Sequence, residues 1–227
     1  TWTKAQWEAL FDDLEENDPG YFLGSLICIN QSKDSLDIQK LEVVDGQQRM
    51  TTLSLFFAAI FAALKKRDID LDEDQRLDLA NLKRKLVLKG GNDQIRFVPQ
   101  TQNHNLSDYK AVLAENNMIG ACDAPPYAGN RKIFRAYRYF RERIEEIENG
   151  TEGLSAVLKM LDKLNRACLV KIEVANHADA YTLFESLNNR GMPLTAIDLI
   201  KNKLLARLES IEPGKVADYS EHWNRLL

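Results

Sequence analysis

The stretch Leu41-Glu42-Val43-Val44-Asp45-Gly46-Gln47-Gln48-Arg49 joins two segments that each favour the interior of a protein. Residues 41–44 alternate and contain β-branched side chains, which is typical of a short strand. Residues 50–64 are almost all apolar or small, and this composition predicts a buried helix. The first N–H groups of that helix would face the polar turn, where the helix dipole favours an anion. The sequence therefore predicts a strand–turn–helix unit whose bend is a candidate anion site.

The side chains of this turn suit a phosphate ligand. Gly46 permits close approach to the main chain, and the fork of Arg49 matches the geometry of a phosphate. Asp45 is able to hold a metal ion or a water molecule. The alternative is structural, with Asp45 capping the helix and the Gln and Arg side chains lying on the surface of its first turn. Residue spacing alone leaves both interpretations open.

A second polar segment, Asn188-Asn189-Arg190-Gly191, lies between two predicted helices. Asn and Gly suit a helix that ends in a left-handed turn, so capping explains part of this segment. Capping does not explain why three polar side chains project together from the leucine-rich helix that follows. A solvated helix face is the alternative to a binding site. The candidate ligand-binding residues of this segment are Arg190, Asp198, Lys201 and Asn202.

The main basic feature of the chain is a stripe on a predicted helix over 130–149. Arg131, Arg135 and Arg138 are spaced so that they share one side of this helix, and apolar residues define another side. Arginine beside aromatic residues suits contact with bases or phosphates of a nucleic acid. The alternative is a surface helix whose arginines form ion pairs with neighbouring acidic side chains.

The composition limits the partners that the chain can have. Its 227 residues can bury a substantial core, and its apolar share of 44% and charged share of 28% are ordinary for a globular protein. The formal net charge is -4, whereas proteins that wrap DNA without sequence preference usually present a basic face. Any contact with DNA is therefore expected to be local, and a compact nucleotide site remains compatible with the charge.

Several common catalytic motifs are absent from the sequence. It has no Walker-type phosphate loop, no serine nucleophile elbow and no His-Glu-x-x-His zinc motif. The longest apolar run, 53–64, is too short to span a bilayer, so no membrane partner is expected. Three widely spaced cysteines favour a cytoplasmic location over a disulfide framework. Cys28 and Cys168 are expected to be buried in strands.

Several blocks of the chain, taken in order, resemble one protein family. The central block, Glu42-Val43-Val44-Asp45-Gly46-Gln47-Gln48-Arg49-Met50-Thr51-Thr52-Leu53, is similar to the signature of the GmrSD-like N-terminal domain family. The namesake of that family is a type IV restriction enzyme that acts on modified DNA. The remaining blocks that resemble the family are 6–7 and 12–14, which lead into 21–26, and then 130–140, 184–191 and 198–202.

The resemblance implies a fold and an activity. The fold would be helix-rich α+β, with a small mixed sheet of the ParB/sulfiredoxin type flanked by helices. In this family the Asp-Gly-Gln-Gln-Arg turn is associated with binding and hydrolysis of a nucleoside triphosphate, often with an HNH-type nuclease domain further along the chain. No HNH-like Cys/His cluster is present in the sequence. We therefore interpret the chain as part of a longer protein and expect nuclease activity only from a further C-terminal domain or a partner subunit.

The leading hypothesis is a module that binds and hydrolyses a nucleoside triphosphate. Main-chain N–H groups of the turn and the Arg49 side chain would hold the phosphates. Asp45 would coordinate Mg²⁺ or order the attacking water, and Gln47 or Gln48 would orient that water. Arg190 and Lys201 would add positive charge from the second segment. The alternatives are a DNA-reading module that uses the basic stripe, and a regulatory module that docks a partner nuclease.

The order of predicted elements gives a domain organisation. We expect one domain over 1–227, with an α+β core formed by 1–65 and 166–210. A helical subdomain over 66–165 would interrupt this core. The strands predicted for the sheet are 21–30, 41–44, 94–98 and 167–174. The capping box of Thr3 and Gln6, with Trp2 and Trp7 at the spacing of a hydrophobic staple, predicts a helix over 4–16. Further predicted helices include 47–66, 196–208 and 215–227.

Overall fold

The computed structural model describes residues 2–32, 38–88, 95–100, 104–122, 126 and 128–188. The chain divides into two compact units. The helical unit comprises 1–23 and 47–168, and the sheet unit comprises 24–46 and 169–227. This division does not test the domain boundaries expected from the sequence, which remain a prediction.

The helical unit contains six α-helices within its described residues. Helix α1 begins with a capping box, in which the Thr3 side chain accepts from the third helical N–H and the Thr3 N–H donates to Gln6 Oε1 at 2.6 Å. Helix α3 begins with the same device, formed by Asp72 and Gln75. The helices are α1 Lys4–Glu16, α2 Gln47–Lys66, α3 Glu73–Leu86, α4 Asn105–Glu115, α5 Lys132–Glu148 and α6 Leu154–Arg166.

Helix α2 is the centre of the helical unit. It is buried along most of its length, as its apolar composition predicts. The Phe56 ring stacks on Phe140 of α5 at 4.5 Å between ring centroids and on Phe11 of α1 at 5.3 Å. All three rings are fully buried, and each contributes about 1.5–3 kcal/mol through burial of apolar surface. This packing fixes the position of α2, and with it the first turn of α2.

The sheet unit is built on three strands, β1 Phe22–Asn30, β2 Leu41–Asp45 and β3 Cys168–Val174, in the order β2-β1-β3. Strands β1 and β2 are antiparallel, and their register shifts between Ile27 and Cys28. Helix α7, His177–Asn188, supplies Ala180 to a small core with Ile27 and Ile29. The partly buried residues around this core are Val44, Val174, Leu183 and Phe184.

Most elements predicted from the sequence are present. The predicted bounds of α1 and α2 agree with the structure, and Cys28 is buried as expected. The predicted strand at 94–98 is wrong for the described residues 95–100, where Ile95 forms only an isolated bridge with Val87. A longer strand does not form there because its bridge partner, Val87, is the residue after α3 and does not belong to a strand that could pair with it. The predicted burial of Cys168 is also wrong, because this residue begins β3 at the edge of the sheet and is exposed.

The fold class is confirmed. The described residues form a helix-rich α+β structure with a small mixed sheet of three strands. The likeness to the ParB/sulfiredoxin type stays a prediction. The two helices predicted over 196–208 and 215–227 lie outside the described residues.

Candidate functional site

Gly46 connects β2 to α2 in a conformation that only glycine adopts without strain. Its φ is +93°, in the region that disfavours L side chains. A Cβ at this position would collide with the end of the Leu26 side chain and lie 3.4 Å from the Ser25 carbonyl oxygen. Within the sheet unit, both the backbone conformation and the packing therefore require glycine. The glycine of the turn is explained by the fold itself, without a ligand.

The first turn of α2 presents two glutamines. Thr51 Oγ1 donates to the Gln47 carbonyl oxygen at 2.8 Å, and Thr52 Oγ1 donates to the Gln48 carbonyl oxygen at 2.9 Å. The threonine hydroxyl protons are thus used within α2, a local bond that Ser and Thr commonly make in helices. All five residues of the turn, 45–49, are half-buried.

Beside these glutamines lies a cavity in the helical unit, which we call the three-helix cavity. The space in it that accepts water-sized spheres is about 30 Å³, within a wider depression of about 440 Å³ that opens to solvent. A space of this size holds an ordered water or part of a small anion, and the wider depression leaves room for the rest of a ligand. Residues that line this cavity include Trp2, Trp7, Gln47, Gln48, Asn105 and Lys132. Of the predicted turn residues, Asp45, Gly46 and Arg49 do not line it.

Three helices begin at this cavity. Gln47 is the first residue of α2, Asn105 the first of α4 and Lys132 the first of α5, and all three line it. Each helix start carries partial positive charge and N–H groups without a partner inside the helix. Because three such ends converge within one unit, the cavity favours a negatively charged occupant. Two indole rings, those of Trp2 and Trp7, line the same cavity.

Arg131, which precedes α5, and Asp108 of α4 form a buried ion pair. Arg131 Nε lies 3.0 Å from Asp108 Oδ2, and the Asp108 side chain has no solvent exposure, while that of Arg131 retains 25%. Burial raises the pKa of the Asp108 carboxyl, and the charges of Arg131 and His104 oppose that rise. The guanidinium of Arg131 is therefore committed to balancing an internal charge.

The basic stripe predicted on α5 divides into residues with different surroundings. Arg131 faces Asp108, and Arg138 donates from Nη2 to the Gly129 carbonyl oxygen at 2.6 Å. Arg135 is exposed and forms no ion pair with any residue that the structure describes. The apolar side of the helix is buried as predicted, at Ile133, Tyr137, Phe140 and Ile144. A role of the stripe in nucleic-acid binding stays a prediction.

Of the second polar segment, the structure describes only Asn188, the last residue of α7. Arg190, Asp198, Lys201 and Asn202 therefore stay candidate residues from the sequence alone. For a metal ion, the described part of the chain offers no cluster of three or more His, Cys, Asp or Glu side chains. Asp45 would supply one carboxylate, which suits Mg²⁺ because this ion usually takes one or two carboxylates and completes its shell with phosphate and water oxygens.

Sequence reasoning identified Gln47 and Gln48 but missed most of the cavity around them. Trp2 and Trp7 had the spacing of a hydrophobic staple, which gave no reason to place them beside the motif. In the sequence, Lys132 is only a neighbour of the predicted basic stripe. The signal that could have found it is its position at a helix start, directly after a polar turn. Asn105 carries the same signal at the start of α4.

Comparison with known proteins agrees with the resemblance seen in the sequence. The family model described as "GmrSD restriction endonuclease, N-terminal domain" matches residues 1–205. No curated protein matches the chain. Among the helices that the structure describes, none has the length and the apolar character needed to cross a bilayer. Since the matched region covers most of the 227 residues, the chain belongs to the GmrSD restriction endonuclease N-terminal domain family.

Proposed function

We propose that the chain binds a nucleoside triphosphate at the start of α2, in the three-helix cavity, and hydrolyses it. The observation that carries this proposal is the convergence of three helix starts on a cavity lined by Gln47 and Gln48 of the family motif. A polyphosphate is an anion that such ends attract, and a base has a flat face that suits the indole rings. The family supplies the coarser context, a module of a restriction or defence protein.

The residues of the turn have separate roles in this proposal. Arg49 contributes a guanidinium suited to phosphate oxygens, and main-chain N–H groups at the start of α2 contribute further donors. Gln47 or Gln48 orients the attacking water through its side-chain amide, as an amide does in other nucleotide hydrolases. Asp45, the last residue of β2, is the proposed ligand of Mg²⁺. When bound with the nucleotide, Mg²⁺ would neutralise phosphate charge.

The second polar segment and a nuclease partner complete the proposal. Arg190, Asp198, Lys201 and Asn202 are proposed from the sequence alone as further nucleotide-binding residues. Hydrolysis would be coupled to action on modified or foreign DNA, carried out by a nuclease domain or partner subunit. Phosphoryl transfer depends mainly on positioning and on positive charge around the phosphoryl oxygens, and these residue types supply both.

The test is a comparison of two arginine variants in nucleotide hydrolysis. Arg49→Ala is expected to slow turnover by roughly 10²–10³-fold, because it removes a donor that acts on the developing charge. Arg166→Ala is the matched control, since Arg166 is exposed and paired with Asp162 on α6, outside the first turn of α2. Equal hydrolysis by Arg49→Ala and the unaltered protein would remove Arg49 from the mechanism.

A second candidate function is DNA reading through α5, and the exposed Arg135 is the observation that favours it. DNA binding through this helix would weaken steeply with salt, because each phosphate contact releases a counterion. Reversing the charge with Arg135→Glu and Arg138→Glu is expected to lower both the affinity and the salt dependence. An unchanged salt dependence in the doubly reversed protein would exclude this surface.

A further inference from the structure

Lys132 differs from the other cations of the α5 start in its surroundings. It lines the three-helix cavity, and its side chain is exposed. Within the described residues its ammonium group forms no ion pair or hydrogen bond. Its neighbour Arg131 is instead held by the buried Asp108 at 3.0 Å. Of the two adjacent cations, only Lys132 has a charge that no described side chain balances.

The residues of the cavity indicate which ligand group the Lys132 ammonium suits. A lysine ammonium is a compact point charge with three donors on a flexible stem, which suits the oxygens of a phosphate group. The helix start beneath it adds partial positive charge of the same sign. Since Gln47 and Gln48 face the same space but carry no charge, they can orient a ligand without balancing its negative charge.

We propose that Lys132 is the polyphosphate-binding residue of the three-helix cavity. This inference rests on the proposed nucleotide binding and assigns its anionic end. In this assignment the polyphosphate lies at the starts of α2 and α5, and the rest of the nucleotide occupies the wider depression. The lysine comes from a part of the chain 83 residues after Arg49, with no phosphate-loop motif around it.

The test uses the fluorescence of the two tryptophans that line the cavity. The chain has three tryptophans, and Trp223→Phe leaves Trp2 and Trp7 as the only reporters. In this background, the protein is titrated with each nucleoside triphosphate, with inorganic tripolyphosphate and with the uncharged nucleosides. Calorimetric titrations of the same lysine variants with Trp223 intact repeat the comparison without relying on that substitution.

Lys132→Ala is expected to weaken binding of the nucleoside triphosphate and of tripolyphosphate by roughly 10- to 100-fold, the usual effect of losing a hydrogen bond to a charged group. Binding of the nucleosides is expected to be unchanged, and Lys132→Arg is expected to restore most of the lost affinity. The matched control is Arg141→Ala, which removes a positive charge from the same helix at a residue outside the cavity lining. This control is expected to change affinity by less than about threefold.

The outcomes separate this inference from the function on which it rests. If the unaltered protein binds a nucleoside triphosphate and Lys132→Ala binds it equally well, the assignment of Lys132 is overturned while nucleotide binding stands. If the unaltered protein binds no nucleoside triphosphate, the proposed function fails. If the protein binds a DNA oligonucleotide in a way that depends on Lys132 but binds no nucleotide, the lysine is assigned to nucleic acid and the inference is overturned.

Discussion

Helices α2 and α5 both begin at the three-helix cavity, but their first residues contribute different physical features to it. The start of α2 follows a glycine with a positive φ and belongs to a helix that is buried along most of its length. The start of α5 carries Arg131 and Lys132 on an amphipathic helix with a charged outer side. The first start is fixed by backbone geometry and packing, and the second supplies side-chain charge. The family motif therefore marks only one side of the three-helix cavity, and the other side comes from a sequence segment without a motif.

The strongest test of this comparison removes the packing that holds the two helices together. Phe56→Ala removes a fully buried ring stacked on Phe140 at 4.5 Å, so it is expected to lower the free energy of unfolding by about 3–5 kcal/mol. Urea denaturation measures the change. Phe57→Ala, on the same helix but at a residue that is only half-buried, is the control and should cost less. Equal losses would show that α2 is not fixed by this stack.

A smaller effect is expected from the glycine before α2. Gly46→Ala places a Cβ against Leu26 at a φ of +93°, and the expected cost is about 2–3 kcal/mol in the free energy of unfolding. Gly129→Ala is a control with no atom within 4 Å of the new Cβ. Gly20→Ala separates strain from crowding, because Gly20 has a φ of +104° and open space around it. If all three variants are equally stable, the conformation at Gly46 does not hold the turn.

The buried pair beside α5 predicts a dependence of stability on pH. The pKa of Asp108 is raised above its ordinary value of 3.8 in the folded protein, mainly by burial. The folded state therefore binds this proton more tightly than the unfolded state, and the resulting stability is present below 3.8 and lost as pH rises through the folded pKa. Asp108→Asn cannot ionise, so its stability relative to the unaltered protein is expected to rise over this range.

The measurement is urea denaturation of both proteins from acid to neutral pH. The difference in the free energy of unfolding between them should become more favourable to Asp108→Asn as pH rises, and then level off. Asp162→Asn, an exposed partner of Arg166, is the control and should follow the unaltered protein. A difference that shrinks with rising pH would mean that Arg131 more than compensates the burial of the carboxylate.

The smallest effect is expected on the outer side of α5. Arg135 is exposed and makes no ion pair within the described residues, so Arg135→Ala should change the free energy of unfolding by less than about 0.5 kcal/mol. Thermal unfolding of the variant beside the unaltered protein measures this. A larger loss would mean that the residue contributes to folding.

The sequence predicted the local elements well where one strong signal acted alone. The capping box at Thr3 and the apolar run after Arg49 each fix an element through neighbouring residues, and the bounds of α1 and α2 followed. The strand at 94–98 and the burial of Cys168 failed for a shared reason. Both depend on which strand lies alongside, and pairing partners are distant in sequence and leave no local signal.

The candidate site shows the same limit. Gln47 and Gln48 could be singled out because a polar turn between two apolar segments is unusual in a sequence. Lys132 lies in an amphipathic helix whose charges look like a solvated surface, so only the convergence of helix starts sets it apart. Gly46 carries the opposite lesson, because the sequence suggested close approach by a ligand and the structure explains the residue through packing on Leu26.

The most direct test of the account is calorimetric titration of the unaltered chain with each of the four ribonucleoside triphosphates in the presence of Mg²⁺. The account predicts saturable binding of at least one of them, in a one-to-one complex that quenches the cavity tryptophans. Absence of binding by all four, up to roughly millimolar concentration where even weak complexes form, would contradict it.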